Sequence, residues 1–479
     1  MMSTDVGFRS ERGPILISLM VTTGLVAIDA TVLATAIPTI VDDLGDFTLF
    51  PWLFSVYLLA QAVTVPIYAK LSDVVGRKPI ILFGIGLFLL GSILCGLAWS
   101  MPALIAFRVV QGLGAGAVQP MSITIVGDIY TIAERAKTQG YLASVWGVSS
   151  VVGPTLGGLF SQLDLWRGVF FINIPLCVIA GWMLVRHLHE NIEKREHTID
   201  YLGGALLTVS LTLLILAVLQ GGQAWAWDSP QSIGAFVLGG LLLVAFVFAE
   251  RRASEPILPL WVISRRLLLT TTLIGLGTGA MLIGLTSYVP TYLEGSLGVA
   301  PIVGGLALAA LLVGWPISAT FSGRLYLRIG FKNTALLGLI GTVGGAAMLA
   351  GFAATPSVLL VALSCFVIGL GMGLISTSAL VAAQSSVAWN ERGVVTGTNM
   401  FARSIGSAVG VAIFGAIANS IFGPGDAASK SPEAITAGGG AVFIAVLVVA
   451  VATVAAGIGM PRTPVTRDDD VGAAEGAAA

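Results

Sequence analysis

The stretch Ala69-Lys70-Leu71-Ser72-Asp73-Val74-Val75-Gly76-Arg77-Lys78 joins two long apolar runs, roughly Leu49–Leu71 and Pro79–Ala98. A bilayer core of ~30 Å takes about 20 apolar residues of helix to cross. Each run is therefore long enough to span, and the charged stretch is a tight turn at the membrane surface. Gly76 permits the reversal, and Lys70, Arg77 and Lys78 hold the turn on one side. Working outward, cuts at charges, Pro/Gly turns and polar clusters give fourteen candidate spans. The first six are roughly Pro14–Ile40, Leu49–Leu71, Pro79–Ala98, Met101–Val126, Thr138–Phe160 and Trp166–Val185. Two follow a charged linker, roughly Tyr201–Gln220 and Ser232–Ala249. The last six are roughly Leu267–Tyr292, Gly304–Phe321, Thr334–Ala353, Val358–Val381, Gly393–Phe422 and Gly440–Met460.

Composition points the same way. Of 479 residues, 56% are hydrophobic and only 10% charged, whereas soluble globular chains average about a quarter charged. Mean hydropathy is +0.94. Glycine reaches 60 residues, and helix packing inside membranes uses many small residues. These values exclude a soluble enzyme, a disordered chain and a nucleic-acid binder. A net charge of −1 presents no basic surface to DNA or RNA. The runs are too long, and alternate too little, for an outer-membrane barrel. The fold class is an all-α polytopic membrane protein. Cys95, Cys177 and Cys365 all sit in apolar runs and read as packing residues, neither a disulfide framework nor a metal site. No cleavable signal peptide is expected, because the first apolar run, Pro14 to Pro38, is long enough to span.

The cations orient the chain. Of its 24 Lys and Arg residues, all but four fall on one side when both termini and every second loop are placed there. Arg167 and Lys430 are on the other side, and Arg108 and Arg403 are inside spans. Both termini are expected to be cytoplasmic. The turn also repeats. Ala69-Lys70-Leu71 with Gly76-Arg77-Lys78 returns as Gly323-Arg324-Leu325 with Gly330-Phe331-Lys332, an offset of 254 (69 to 323). Gly112-Leu113-Gly114-Ala115-Gly116 returns as Gly369-Leu370-Gly371-Met372-Gly373, an offset of 257 (112 to 369). Pro38-Thr39 returns as Pro290-Thr291, an offset of 252 (38 to 290). Spans 1–6 and 9–14 are thus two related halves, and spans 7 and 8 are an inserted pair. The expected divisions are a cytoplasmic N-terminus (1–13), a six-helix bundle (14–187), a linker (188–200) and two extra helices (201–250). A second linker (251–266), a second bundle (267–460) and a disordered tail (461–479) follow. The cleft between such halves is the expected transport path.

Asp29, in Ala27-Ile28-Asp29-Ala30-Thr31, is the sharpest chemical signal. A carboxylate at this depth costs roughly 2.5–3.5 kcal/mol on insertion scales. Its counterpart by the repeat offset is near Met281, so the fold does not require the charge. Asp29 reads as a protonatable group facing the cleft; the alternative is a structural partner for an intramembrane Arg. Arg108 reads as the cation that tunes protonation there, or else as a static pair. Arg403, Gln61, Asn399 and Glu294 are the further polar candidates for the cleft. Glu294 matches the loop residue Asp42 by the offset, which favours a solvated position over a second protonation site.

In the turn after span 2, Asp73 ends a helix where the dipole disfavours an acid, so it needs compensation, which another helix's positive N-terminus could supply. Asp128, at the end of span 4, can pair with Arg77. A cluster of Asp73, Gly76, Arg77 and Asp128 that forms in only one conformation would act as a latch; the alternative is an ordinary topogenic loop. Span 5 carries Gly147, Gly153, Pro154, Gly157 and Gly158. Its glycines let another helix approach closely, and its proline permits a kink.

Together these residues resemble the major facilitator superfamily, and most closely its 14-helix drug:proton antiporter branch. The turn at 69–78 is similar to the family's G-x-L-x-D-x-x-G-R-K/R signature, with Ala69 at the first glycine. Leu104 to Gly112 resembles the helix 4 signature, whose Arg the family associates with proton transfer. Gly147 to Gly158 resembles the antiporter signature of helix 5. Ile28 to Pro38 resembles the helix 1 signature, with Ala34 where an Asn is usual. Leu327 stands where the second copy of the turn would carry its Asp, and Glu294 where a Gln is usual. The resemblance covers essentially residues 14–460. It implies a major facilitator fold of two six-helix halves plus two inserted helices. It also implies that Asp73 faces span 13 near Gly393 and that Arg77 pairs with Asp128.

The expected function is a proton-coupled antiporter exporting amphipathic drugs or other small hydrophobic molecules by alternating access, through a cleft walled by apolar residues, Met281 and Trp146 among them. The competing tasks are export of a lipid, siderophore or other envelope metabolite and, in another class, a non-transporting sensor. Partners are a small amphipathic substrate, protons and the lipid bilayer, with no nucleic acid. The expected location is the bacterial inner membrane, as a monomer. No cofactor or metal is expected. His187, His189 and His197 lie among Glu190, Glu193 and Glu196, but their spacing matches no recognised metal set. Gly112 to Gly116 follows no strand and is not a nucleotide loop, and no P-loop is present, so no ATP hydrolysis is expected.

Overall fold

A computed structural model of the chain describes residues 7–45, 49, 51–190, 200–221, 225–253, 256, 258–259, 261–422 and 431–463. His197, Glu193, Glu196, Lys430 and the tail from 464 onward lie outside the described residues. In the first half, α1 is Gly13–Leu44, α2 Pro51–Val75, α3 Arg77–Gly96, α4 Met101–Ile129 and α5 Ile132–Gln162. The sixth crossing is made of α6 (Gly168–Phe171) and α7 (Asn173–His187). The inserted pair is α8 (Tyr201–Gln220) and α9 (Pro230–Glu250), followed by the short α10 (Trp261–Ser264). The second half is α11 (Arg266–Leu297), α12 (Pro301–Ile329), α13 (Phe331–Gly351), α14 (Val358–Ser385), α15 (Arg392–Phe422) and α16 (Pro432–Gly459). Among the described residues there is no β-strand, and 13 helices are long and apolar enough to cross a membrane. The fourteenth is the shorter apolar helix Leu202–Val218 within α8.

Most helices run past the apolar windows that locate them. α1 has 32 residues, about 48 Å at 1.5 Å per residue, which is longer than the ~30 Å hydrocarbon core. Charge does not stop a helix at the interface, where side chains reach water. α5 thus begins at Ile132, with a capping box at Thr131 and Glu134. Asp42 and Glu294 are corrected by the same fact: neither is a loop residue. Each lies on the last turn of its helix, before Gly45 (φ 72°) and Gly298 (φ 64°) end α1 and α11.

Every positive-φ glycine among the described residues falls into a pair, and the pairs repeat. Gly76 (φ 106°) and Gly330 (φ 83°) reverse the chain after α2 and α12, at an offset of 254 (76 to 330). Gly45 and Gly298 do so after α1 and α11, at 253 (45 to 298). Only glycine occupies such φ values freely, so the two halves use the same turns at the same places.

Each half has its own core. One cluster packs Leu19, Phe88, Met121 and Leu184; another packs Met281, Leu311, Cys365, Phe414 and Phe443. Cys95, Cys177 and Cys365 are all buried and free. Met281 is fully buried in the second core, so it does not wall the cleft, contrary to the expectation from sequence. α8 and α9 pack on each other, with the Ser210 hydroxyl donating to Gly239 O at 2.8 Å. α8 also rests on α2 and α15.

The halves meet chiefly through two helix pairs, α5 with α12 and α2 with α15, with α4 also touching α15 and α5 touching α14. Their closest approaches are at the ends that carry the Lys/Arg-rich turns. There the Tyr326 hydroxyl donates to Ile132 O, Gly323 packs on Ala136, and Gly397 packs on Ala69. At the opposite end, Trp166 Nε1 and Arg167 Nη1 donate to Asp43 Oδ2 at 2.9 and 2.8 Å. These bonds hold the Asp43 carboxyl below the usual carboxylate range.

Candidate functional site

α1 brings Asp29 into a closed polar pocket made wholly by the first half. Its Oδ2 is 2.6 Å from Arg108 Nη1 on α4, and both side chains are 1% exposed. Its Oδ1 accepts from Gln111 Nε2 at 2.8 Å and from Asn173 Nδ2 at 3.2 Å. Arg108 is itself fixed. Nη1 donates to Gln111 Oε1 at 2.7 Å, Nε donates to Leu53 O at 3.2 Å, and the guanidinium lies 4.2 Å from the Tyr57 ring centroid. Gln111 Nε2 also donates to Ser92 Oγ at 2.8 Å. The carboxylate therefore does not face the cleft in this conformation. It is sealed among α1, α3, α4 and α7. Asn173, at the head of α7 in the sixth crossing, lies directly on Asp29.

A second cluster joins the two halves. Asp73, 3% exposed, accepts from the backbone N–H of Gly393 at 2.9 Å and of Val394 at 2.8 Å. These are free donors at the N-terminus of α15, where the helix dipole favours an anion. Arg77 lies beneath, with Nη2 2.7 Å from Asp73 Oδ1 and Nε 3.0 Å from Asp128 Oδ2. Nη2 also donates to Trp389 O at 2.7 Å, and the Trp389 ring centroid lies 4.2 Å from the guanidinium carbon. Arg392 Nη1 reaches Asp128 Oδ1 at 3.2 Å and Gly127 O at 3.0 Å. Gly76, at its positive φ, turns the chain so that α3 starts at Arg77.

Trp389 and Glu190 belong to no motif read from the sequence. Glu190 Oε1 and Oε2 accept from the Arg77 and Lys78 backbone N–H groups, each at 2.9 Å. The segment leaving α7 thus caps α3 with a carboxylate. Glu190→Gln is expected to weaken this cap by about 1 kcal/mol, the usual worth of a charge-assisted bond above a neutral one. Denaturation of the purified variant measures this, and unchanged stability would return Glu190 to an ordinary surface acid.

The remaining candidates are separate from one another. Gln61 Nε2 donates to Gln119 Oε1 at 2.9 Å, and Asn399 Nδ2 to Thr271 O at 2.9 Å. Glu294 is half-buried near the end of α11. Arg403 stacks on Trp315, 4.9 Å from the ring centroid. Trp146 packs partly buried against the first core. On α5, Gly153 and Gly157 lie against Thr31, Val32 and Thr35 of α1, too close for any added methyl group. The Thr31 and Thr35 hydroxyls reinforce that contact by donating to Ser149 O at 3.0 Å and Pro154 O at 3.2 Å. Gly147 faces Leu312 O, whereas Gly158 has open space beside it. Gly158 therefore mediates no close approach, a departure from the expectation for all four glycines. Among the described residues no cluster of His, Cys, Asp or Glu is built to hold a metal. The ring nitrogens of His187 and His189 lie against the Met183 and His187 carbonyls.

Two halves of repeated design, joined through α2–α15 and α5–α12, agree with the match to known proteins. The model of the Major Facilitator Superfamily matches residues 19–411. The chain belongs to the major facilitator superfamily. It is a multi-pass membrane protein of this transporter family. The Multidrug transporter protein MdtP of Bacillus subtilis is 34% identical over 417 residues, covering 87% of this chain and 77% of that protein. Multidrug resistance protein 3 of the same organism is 34% identical over 423 residues, covering 88% and 82%. Among solved structures, a bacterial homologue of the iron transporter ferroportin, in an outward-facing state, superposes with a TM-score of 0.65 at 13% identity, covering 93% of this chain and 99% of that one. That likeness establishes the superfamily's fold.

Proposed function

We propose that this protein is a proton-coupled antiporter of the bacterial inner membrane, exporting amphipathic drugs or other small hydrophobic molecules by alternating access. The buried Asp29–Arg108 pair carries the reading. A scaffold has no need of an ion pair inside the hydrocarbon layer, where charge is costly and marks proton or substrate pathways. The relatives named as multidrug transporters support the drug-export part.

In this reading both termini are cytoplasmic, the cation-bearing ends face the cytoplasm, and the protein acts as a monomer. The bundles 14–187 and 267–460 rock against each other, with 201–250 riding alongside. The contacts of Asp73 with α15 and of α5 with α12 close the cytoplasmic end, and substrate leaves from the other side. A proton reaching Asp29 from outside neutralises the carboxylate and frees Arg108. The two-state latch then opens inward, and the proton departs to the cytoplasm.

Proton movement by purified protein in liposomes tests this, with lipophilic cations and envelope lipids added in turn. Substrate-dependent proton release that vanishes in Asp29→Asn is the expected result. Redistribution of dye or lipid with no proton signal would replace antiport by uncoupled carriage and return Asp29 to a structural pair.

A further inference from the structure

Arg403 differs from every other arginine at depth. It lies on α15 ten residues beyond Gly393, about 15 Å further along the helix axis from the latch. Whereas Arg108 has Asp29, Arg403 forms no ion pair among the described residues. The carboxylates carried by α11–α16 are Glu294 and Glu433. Glu294 is fifteen residues beyond Gly279, which packs on the Arg403 carbonyl. That is about 22 Å along α11. Glu433 is in the first turn of α16.

What Arg403 does touch is Trp315 of α12, across the indole face. α12 and α15 are the helices by which the second half abuts α5 and α2, and both are backed by α11 and α14. The Arg403–Trp315 bridge therefore lies in front of α11 and α14, on the side turned to the first half. Both residues are only partly buried there. An intramembrane Arg is paired or faces a water-filled cavity. Stacking on an indole holds the guanidinium plane while leaving its edge, a fork of N–H donors, for a planar acceptor with two oxygens.

We propose that Arg403 and Trp315 form a subsite of the transport path for the carboxylate end of an amphipathic organic anion. The inference rests on the exporter reading and narrows its substrate class. The first half's intramembrane Arg is neutralised by its own chain; the second half's is neutralised by the substrate. Apolar substrate mass then lies along the indole, and the carboxylate receives two N–H bonds from the fork.

Equilibrium binding to the purified full chain tests it, with pyrene-1-butyrate, its uncharged methyl ester and the cation tetraphenylphosphonium as probes. The native protein is expected to prefer the carboxylate to the ester by roughly tenfold or more, as a hydrogen bond to a charged group implies. Arg403→Gln should erase that preference while leaving ester affinity within about twofold of native. Arg403→Lys keeps the charge but not the fork and should retain only part of the preference, which decides the matter even if the Gln variant does not fold. An equal preference in native and Lys or Gln variants overturns the subsite and makes the stack structural. Native binding of the ester or the cation without preference for the carboxylate also overturns the subsite, while exporter activity stands. Binding of none of the three probes removes the exporter reading and the subsite with it.

Discussion

Asp29→Asn is expected to abolish proton-driven efflux and to destabilise the protein by about 3–5 kcal/mol, the cost of breaking a buried ion pair by removing one partner. Asn is nearly isosteric, so the loss does not come from packing. It comes from Arg108, which is 1% exposed and would keep its charge with no counter-ion within 3 Å. The Gln111 and Leu53 carbonyl oxygens that also accept from Arg108 solvate the guanidinium in part but carry no charge. The double variant Asp29→Asn/Arg108→Gln separates the two roles. With both charges gone, most of the lost stability should return, since neutral polar groups satisfy one another in the same pocket. Efflux should stay absent, because no group remains to load and release the proton. Thermal stability in detergent and efflux from energised vesicles measure the two effects. Wild-type efflux in the single variant would remove Asp29 from the mechanism, and efflux regained together with stability in the double variant would make the pair purely structural.

The parts of this arrangement legible in the sequence are those where lipid makes a residue expensive. Asp29, Arg108 and Arg403 stand out because a charge in an apolar run needs a reason, and the spans follow from the same contrast between apolar runs and charged turns. The Asp73–Arg77–Asp128 cluster is readable because its acids sit at helix ends, where the dipole demands compensation. The neutral side chains around Asp29 are not readable. Gln111, Ser92 and Asn173 are common enough in polytopic chains to carry no signal singly; Gln111 and Asn173 meet Asp29 from 82 and 144 residues away in sequence (111 and 173 against 29), and Ser92 meets those two amides rather than Asp29 itself. Asn173 sits where Pro175 withholds the helical hydrogen bond from the Phe171 carbonyl, a signal the sequence does carry but that does not say which partner Asn173 meets. Trp389 and Glu190 act through a ring face and a helix cap contributed by distant segments. Their partners emerge only once α3, α4 and α15 are side by side. Met281 misled for a related reason: the repeat identified its position as the counterpart of Asp29, but an apolar residue there turns inward with the second core.

Asp73→Asn is expected to shift the balance between the two faces by roughly a hundredfold, about 3 kcal/mol. The carboxylate uses both oxygens on one target: Oδ1 takes the Gly393 N–H and Oδ2 the Val394 N–H, while Arg77 Nη2 shares Oδ1. An amide has one oxygen to offer. Its NH2 group, turned toward either backbone donor, meets a hydrogen with a hydrogen. The same change takes the counter-charge from the N-terminal dipole of α15 and from one side of Arg77. Asp128 keeps Arg77 in place, so the first half survives and the loss falls on the contact between halves, where the Arg392–Asp128 pair remains. A cysteine at Ala136, fully buried where α5 meets Gly323 of α12, reports that contact without touching the latch. In Ala136→Cys alone it should react slowly with a membrane-impermeant maleimide applied from the cytoplasmic face. Adding Asp73→Asn should speed that reaction in proportion to the opened fraction, and slow labelling of a cysteine placed on the opposite face of the cleft. Unchanged labelling on both faces would mean that the Asp73–α15 contact follows closure rather than holding it, and the cluster would then be only a topogenic turn.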